Sequence, residues 1–492
     1  MRIPSCSFGP RLFAGALIAV ALLGVGPLAA APLTLDDAIR LALQNNQRLK
    51  VSAFSPQIAR ANVLTAYGSF DPALTFRRTQ GKDESIALTP LAPRSHATTD
   101  DYSLSLDGLM PWGLTYSLGG SAQNQRGTFN SFADNYVTFG GVSFTQPLLR
   151  GFGFGANLAS LRIARANRGI SEWQHRQTVI DTITDVIFAF NNLQQARDTL
   201  HIARVFRDLT AQLVRDNETK NRIGALSDAD VTQARARLAT REEAILFAER
   251  SVRDVENQLR LLTGDPAFKT TGPDLVIADL APAPEVTVDA ASDVKKAYDL
   301  RPDYQAARLG LTIDRASYAA ARNQLLPRLD FVGSYGYSGQ DPKFSVARAE
   351  VRDRDARSYT AGFVVRVPLT FADGRGRARA AQLALRRSEA DLVRFEQDIA
   401  LSVTSAAGQI ETTKQRVAAT RTAFELASQA LEAEQKRFQA GTSTTFFVLQ
   451  KQELVFGVQN SYERALADQR RARANYEREL GATLTAHHIQ LE

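Results

Sequence analysis

Few residues in this sequence are of the types that catalyse reactions or bind metal ions, and their spacing favours neither role. The chain has five histidines: His96, His175, His201, His487 and His488. None of them has the spacing to cysteines or acidic residues that a metal site would need. We interpret the last two as an incidental pair in the C-terminal tail. The single cysteine, Cys6, lies ahead of an apolar run, so the mature chain is expected to lack disulfides, a cysteine-linked lipid and a catalytic thiol. No catalytic, cofactor or metal site is predicted.

Three closely spaced glycines superficially resemble a phosphate-binding loop. Gly151, Gly153 and Gly155 are not followed by Gly-Lys-Ser or Gly-Lys-Thr, and Pro147 before them is predicted to end a strand. A flexible strand-to-helix junction is the better interpretation. The sequence therefore gives no indication of an enzyme.

Residues 1–30 have the composition of a secretory signal peptide. Arg2 and Arg11 precede the apolar run Leu12–Val25, and small residues follow, which predicts cleavage near Ala30. No later apolar run is long enough for a membrane-spanning helix, so any insertion into a membrane would need strands. The formal net charge of +7 is spread among charges of both signs, which favours solvated helix faces over nucleic-acid binding.

The second half of the chain repeats the first. Segments match at offsets of 255, then 221, then 217 residues, with almost no gaps. The matched pairs are Pro72 with Pro327, Pro147 with Pro368, Gly224 with Gly441, and Gly264 with Gly481. A duplication of this length predicts one architecture built twice.

Each repeat is predicted as helix, strands, very long helix, turn and closing helix, which gives an α+β fold that is mainly α. The first repeat is residues 31–264, with helix 35–68, strands within 73–147, long helix 156–221 and closing helix 227–262. The second is residues 286–481, with helix 289–325, strands within 328–369, long helix 376–440 and closing helix 444–480. A proline-rich linker, 265–285, joins them, and 482–492 form a tail.

The long helices have coiled-coil spacing. Apolar residues recur every seven positions at Val403, Ile410, Val417, Phe424, Leu431 and Phe438, and again at Val179, Val186, Leu193 and Leu200. A helix of this length spans roughly 100 Å. Because the two shorter helices of each repeat sum to a similar length, we expect them to stack end to end beside the long one.

The strand segments alternate between apolar and polar residues, as at Phe331 and Tyr335 against Asp330 and Ser334. This pattern fits a membrane barrel and a half-buried soluble sheet equally well, and the signal peptide favours the barrel. Two strands per repeat would make four per chain, fewer than the roughly eight that a closed barrel needs, which predicts oligomerisation. The first repeat has 34 more residues between its matched prolines (75 against 41). We favour an outer loop hairpin around residues 102–123 over two additional barrel strands.

Taken together, the chain resembles the TolC-type outer-membrane efflux family. The residues that carry the resemblance are Leu300-Arg301-Pro302-Asp303, Leu326-Pro327-Arg328-Leu329, Val367-Pro368-Leu369-Thr370 and Phe438-Gln439-Ala440-Gly441-Thr442-Ser443. The resemblance implies a homotrimer with a 12-stranded β-barrel in the outer membrane and a long α-helical coiled-coil tunnel in the periplasm. It also implies a periplasmic adaptor and an inner-membrane pump as partners. The function would be a passive conduit for solutes or polypeptides; the alternative is a coiled-coil structural or adaptor protein without a pore.

The resemblance also implies a periplasmic gate beside the turns at Gly224 and Gly441. Asp230 follows Gly224 by six residues, where the family's first repeat tends to place an acid, while the second repeat has Phe447 and Gln450 in the corresponding region. Three Asp230 carboxylates around a narrow aperture would attract cations. The alternative is that Asp230 only stabilises the N-terminal end of its helix. Phe447 could close the tip by apolar contact or pack between helices.

Overall fold

The computed structural model describes residues 32–85, 95–264, 275–280 and 287–490. The chain is mainly helical with one antiparallel sheet, which confirms the predicted fold class. The predicted signal peptide, residues 1–30, lies outside the described residues, as does most of the predicted linker 265–285. Among the described helices, none combines the length and the apolarity that a transmembrane helix requires.

The helices and strands follow the same order in both repeats. The helices are α1 Leu35–Asn45, α2 Gln47–Ser52, α3 Phe54–Tyr67, α4 Phe154–Asn157, α5 Ala159–Arg222, α6 Asp228–Thr263, α7 Ala290–Leu300, α8 Pro302–Asn323, α9 Phe344–Asp353, α10 Ala372–Gln439, α11 Thr445–Leu480 and α12 Thr483–Ala486. The strands are β1 Ala73–Ser85, β2 Ser95–Leu109, β3 Thr115–Gly127, β4 Tyr136–Pro147, β5 Arg328–Asp341 and β6 Ala356–Arg366.

The two long helices, α5 and α10, pack lengthwise on their neighbours as the heptad spacing predicts. Val186, Leu193 and Val403 are fully buried on the expected faces. The C-terminal half of α5 packs on α6, and its N-terminal half packs on α3 and α8. Each long helix therefore lies beside shorter helices stacked end to end.

The first helix of each repeat is broken, contrary to the single helices predicted over 35–68 and 289–325. Asn46 leaves the helical conformation, and its side chain accepts hydrogen bonds from the backbone N–H groups of Arg48 and Leu49. In the second repeat Pro302 lacks an N–H and disfavours helical geometry at Arg301, whose φ and ψ are −70° and 119°. The breaks fall at equivalent positions, since Asn46 and Arg301 are related by the offset of 255.

The sheet has six strands in the order β1-β2-β3-β4-β5-β6, all antiparallel. The outer loop hairpin favoured for residues 102–123 is therefore wrong, as is the count of four strands per chain. β2 pairs with β1 from Asp107 opposite Ala73 to Ser95 opposite Ser85, and β3 pairs with β4 over ten residue pairs. A tight turn joins β2 to β3, with Gly113 at φ +103°.

The two faces of the sheet differ in polarity across all six strands. One row of directly opposed residues is apolar and aromatic, and consists of Leu74, Leu106, Leu118, Val142, Tyr335 and Tyr359. On the opposite face, the adjacent row is small or polar, and consists of Ala73, Asp107, Ser117, Ser143, Ser334 and Thr360. Because β2 and β3 continue both rows, they belong to the same surface as the other four strands.

Candidate functional site

The candidate site is the tip where the hairpins α5–α6 and α10–α11 turn. Gly224 and Gly441 have φ values of +73° and +76°, which only glycine adopts at low cost. Each turn is closed by the same backbone hydrogen bond, from Ala225 N to Lys220 O and from Thr442 N to Arg437 O, both 2.9 Å long. A Cβ at either glycine would meet no atom within 4 Å, so the turns project into open space.

The two hairpins are joined close to the tip. Leu213 of the first hairpin packs with Phe438, Val448 and Leu449 of the second in a buried cluster. Polar side chains of α5 reinforce this cluster. Asn217 Nδ2 donates to Thr445 Oγ1 of α11 at 3.0 Å, and Lys220 Nζ lies 3.8 Å from the ring centroid of Phe438 of α10. The two turns therefore move together unless this cluster opens.

The side chain of Asp230 is hydrogen-bonded at the start of α6. Ser227 Oγ donates to Asp230 Oδ2 at 2.6 Å, and Asp230 N donates to Ser227 Oγ at 3.3 Å, which forms a reciprocal helix cap. Asn221 Nδ2 donates to the neighbouring carboxylate of Asp228 at 3.0 Å. The helix-end role of Asp230 is present in this geometry, while its role in a gate stays a prediction.

The second turn is built differently from the first. Thr444 occupies the position equivalent to Ser227 but makes no side-chain cap. Phe447, which replaces Asp230, is 48% exposed and stacks edge-on against Phe446 at 5.6 Å between ring centroids. Gln450 is exposed on the same helix. The tip therefore presents a capped acid on one hairpin and an aromatic pair on the other.

The four matched prolines lie at the ends of strands β1, β4, β5 and β6 that are nearest the helices. Pro72 and Pro327 precede β1 and β5, Pro147 is the last residue of β4, and Pro368 follows β6 by two residues. Proline cannot donate a backbone hydrogen bond to a neighbouring strand, which suits these terminal positions.

Sequence reasoning missed a buried arginine that joins the closing helices. Arg241 of α6 is 5% exposed, and its Nη2 donates to Glu453 Oε2 of α11 at 2.8 Å. Its guanidinium lies 4.1 Å from the ring centroid of Phe456. Burial lowers the pKa of Arg241, partly offset by the Glu453 carboxylate. A single Arg on a solvated helix gives no sequence signal of this partner, because Glu453 is 212 residues away.

A second feature missed from the sequence is a joint that occurs once in each repeat. The end of α6 at Gly264 packs against the break at Asn45 and Asn46, and the end of α11 at Gly481 packs against the break at Leu300 and Arg301. Asn46 Nδ2 donates to Leu262 O at 2.7 Å. The equivalent bond in the second repeat runs from Arg301 Nη1 to Glu479 O at 3.1 Å. Together these joints fix the closing helices to the middle of the body.

Arg301 makes the second joint the stronger of the two. Its guanidinium donates to both carboxylate oxygens of Asp303 at 3.1 and 2.7 Å, and to Glu479 Oε2 at 2.9 Å. Burial disfavours the charged guanidinium, but the two carboxylates outweigh burial and raise the pKa of Arg301. Bidentate pairing of this kind requires arginine and not lysine.

Two carboxyl groups of the helical body, Asp198 on α5 and Glu463 on α11, have raised pKa values. Burial raises the pKa of both carboxyl groups; the nearby Asp279 carboxylate further raises the pKa of Asp198, and the Asp198 carboxylate further raises that of Glu463. The Arg470 guanidinium interacts electrostatically with both carboxylates, and burial lowers its own pKa. Within the described ranges, no cluster of three His, Cys, Asp or Glu side chains is placed to bind a metal ion.

The sequence pattern that defines the outer membrane efflux protein family matches residues 38–265 and 294–482. The chain belongs to the outer membrane efflux protein family. The two matched stretches coincide with the two repeats and leave out the connecting segment. Proteins of this family reside in the outer membrane, and the family resemblance seen in the sequence is confirmed.

Individual relatives share less than a third of their residues with this chain. Outer membrane protein TolC of Vibrio cholerae is 22% identical over 397 residues, which is 79% of this chain and 86% of the relative. The pyoverdine export outer membrane protein OpmQ of Pseudomonas putida is 24% identical over 335 residues, 66% of this chain and 65% of the relative.

Solved structures show the same fold. The CmeC outer membrane channel of Campylobacter jejuni superimposes with a TM-score of 0.69 at 14% identity, covering 91% of this chain and 86% of that chain. The outer membrane protein VceC of Vibrio cholerae gives a TM-score of 0.67 at 17% identity, covering 91% and 96%. At such low identity these likenesses establish the architecture of this family member and not its cargo.

Proposed function

We propose that this protein is the outer-membrane channel of a tripartite efflux or type I secretion system. It would act as a passive conduit from the periplasmic pump to the exterior. The observation that carries the proposal is that the sheet and the helical layer both have open edges on the same two sides of the chain. The unpaired strands and exposed apolar side chains at these edges would be covered only when further copies of the chain pack against them.

The sheet ends in β1 and β6, and among the residues that the structure describes neither strand has a partner on its outer side. Unpaired edge strands in a folded protein are normally covered, because they template association. Every residue of β1 is exposed, including Leu74 at 72% and Phe76 at 68%. Pairing of β1 from one copy with β6 of the next would cover both edges.

The helical layer repeats this arrangement. Near the tip its order is α6-α5-α11-α10, and near the sheet it is α3-α5-α8-α10. One side of the layer therefore ends in α3 and α6, and the other in α10. Both sides expose large apolar side chains, namely Ile58, Leu64, Leu246 and Phe247 on the first side and Val393, Leu401 and Leu426 on the second.

Contacts between two different edges are head-to-tail contacts, which close into rings. We propose a homotrimer, as the family resemblance implies. The 12-stranded barrel that the resemblance implies corresponds to four strands per chain. With six strands in each chain, three copies would supply eighteen, and the barrel diameter would grow roughly in proportion.

The faces of the sheet support its insertion into a membrane. In a barrel the apolar row that contains Leu118 would face lipid, and the polar row that contains Ser117 would line the lumen. The helical body would then extend into the periplasm, with its tip towards the adaptor and the inner-membrane pump. The predicted signal peptide would deliver the chain across the inner membrane.

The decisive experiment compares two adjacent residues of β3. Leu118→Lys places a charge on the lipid face, which costs about 2–4 kcal/mol at the bilayer midplane, so we expect loss of the protein from the outer-membrane fraction. Ser117→Lys places the same charge in the lumen, so we expect normal insertion and a shift towards anion selectivity in planar-bilayer recordings. Equal behaviour of both variants, or a soluble protein without conductance, would favour the pore-free coiled-coil alternative.

A further inference from the structure

The connection between β5 and β6 contains a short helix that covers part of the apolar face. Helix α9 packs on β4 and β5 at the end of the sheet that is remote from the helical body. Phe344 contacts Tyr136 at 5.7 Å between ring centroids, and Thr138 Oγ1 donates to the carbonyl of Ala347 at 2.8 Å. Ala347 is completely buried. The helix is thus a fixed part of the surface.

The sheet is shaped to receive this helix. Gly140 and Gly339 lie under α9, and a Cβ at Gly140 would come within 2.9 Å of Val351 Cγ1. Glycine therefore opens a shallow trough on a face that elsewhere carries large side chains. The backbone N–H of Gln340 also donates to Glu350 Oε2 of the helix at 2.8 Å.

An apolar groove of about 380 Å³ remains between α9 and strands β1–β3. Phe76, Tyr102 and Leu104 form its floor, and Phe344 and Val351 form its wall. A groove of this volume and composition fits a section of an acyl chain. It opens on the face that the proposed function turns towards lipid.

Two cations lie at the edge of this groove. Arg348 of α9 lines it directly, and the guanidinium of Arg78 lies 5.4 Å from the ring centroid of Tyr102 on its floor. Throughout the described residues, neither guanidinium has a carboxylate within ion-pair distance. Two guanidinium groups without a carboxylate partner beside an apolar groove suit an anionic partner with an apolar tail.

We propose that this groove binds a phosphorylated acyl lipid, with one acyl chain along Phe76 and Leu104 and the phosphate between Arg348 and Arg78. The inference rests on the proposed function, which places α9 in the outer leaflet of the outer membrane. The lipid would then fill a cavity that a membrane would otherwise leave poorly packed, and it would hold α9 against the sheet.

The test uses the full-length protein purified in a neutral detergent and diphosphoryl lipid A as the probe, with binding measured by native mass spectrometry. Arg348→Gln should weaken binding about tenfold, as expected for the loss of one charge-assisted contact. Arg352→Gln is the matched control on the same helix, because Arg352 pairs with Asp353 and is not among the residues that line the groove. It should bind as the unmodified protein does.

Two further measurements separate the tail from the headgroup. Ala122→Leu fills the groove and should weaken binding of lipid A and of its dephosphorylated form alike. Inorganic phosphate should not compete with the lipid at equal concentration. Equal effects of Arg348→Gln and Arg352→Gln, equal binding of the two lipid forms, or efficient competition by inorganic phosphate would each overturn the proposal. Planar-bilayer conductance of the same samples tests the channel separately, since a conducting protein without lipid selectivity would refute only the lipid site.

Discussion

Replacement of Gly481 by alanine should destabilise the protein more than the same replacement at Gly441. Both glycines follow the end of a helix and have positive φ, +72° at Gly481 and +76° at Gly441. The unfavourable backbone conformation alone should therefore lower the free energy of unfolding by about 1–2 kcal/mol when either is replaced by alanine. Their surroundings differ. A Cβ at Gly441 meets nothing within 4 Å, whereas a Cβ at Gly481 would lie 2.8 Å from Leu300 C and 2.9 Å from Arg301 N.

These close contacts are with backbone atoms, which cannot rotate away as a side chain can. Relief would require the end of α11 to move away from the break between α7 and α8, and Arg301, itself fixed by Asp303 at 2.7 Å, holds these segments together through Glu479 at 2.9 Å. Overpacking of a rigid site typically costs about 1–3 kcal/mol. We therefore expect a loss of about 2–5 kcal/mol for Gly481→Ala against about 1–2 kcal/mol for Gly441→Ala.

The assay is denaturant unfolding of the purified protein in detergent, followed by the helical circular dichroism signal at one fixed protein concentration. Gly264→Ala is a second test, because its Cβ would lie 2.9 Å from Asn45 O in the first repeat. It should behave like Gly481→Ala. A loss at Gly441 equal to or greater than the loss at Gly481 would refute the steric argument and leave only the backbone cost.

Three other predictions concern charged residues. Glu453→Gln should lower the free energy of unfolding by about 1–3 kcal/mol, because it leaves the buried guanidinium of Arg241 without a counter-charge. Arg241→Met should cost less, since the remaining carboxylate is half exposed; the reverse order in denaturant midpoints would contradict this. Because the pKa values of Asp198 and Glu463 are raised, the folded state binds protons more tightly than the unfolded state at these two groups. Their contribution to the free energy of unfolding is therefore full below the ordinary pKa values of 3.8 and 4.5, and it is lost as pH rises through the raised values. Asp198→Asn with Glu463→Gln should therefore flatten the fall in melting temperature as pH rises above about 4, the ordinary value for such acids, and an unchanged slope would exclude these two groups. Asp230→Ala should reduce cation selectivity or blockade by multivalent cations in bilayer recordings; unchanged selectivity would leave Asp230 as the cap of α6.

Much of the helical architecture follows from local sequence patterns. The heptads that contain Val186 and Val403 specify long helices with one apolar stripe, and the left-handed turns at Gly224 and Gly441 need glycine. The breaks at Asn46 and Arg301 were missed, although Pro302 is a local signal for one of them. The structure has turns at Gly224 and Gly441, whereas the bonding of Asp230 to Ser227 was not anticipated.

The sheet shows where local patterns stop being sufficient. Alternation in Leu104, Leu106 and Leu118 indicates a strand with one apolar face, but it does not indicate which strand lies beside it. The hairpin of β2 and β3 could therefore be read as a loop outside the sheet. Only pairing with β1 and β4 places it within a continuous six-stranded surface.

The sequence by itself thus determined the duplication, the long helices, the turns and the polarity of each strand, because each depends on residues that are close together along the chain. The tertiary structure decided the number of strands, the different surroundings of Gly441 and Gly481, the pairing of Arg241 with Glu453, and the groove beneath α9. Each of these depends on contacts between residues far apart in sequence. Which distant segments meet is set by the packing of the whole fold and is not encoded in any local spacing.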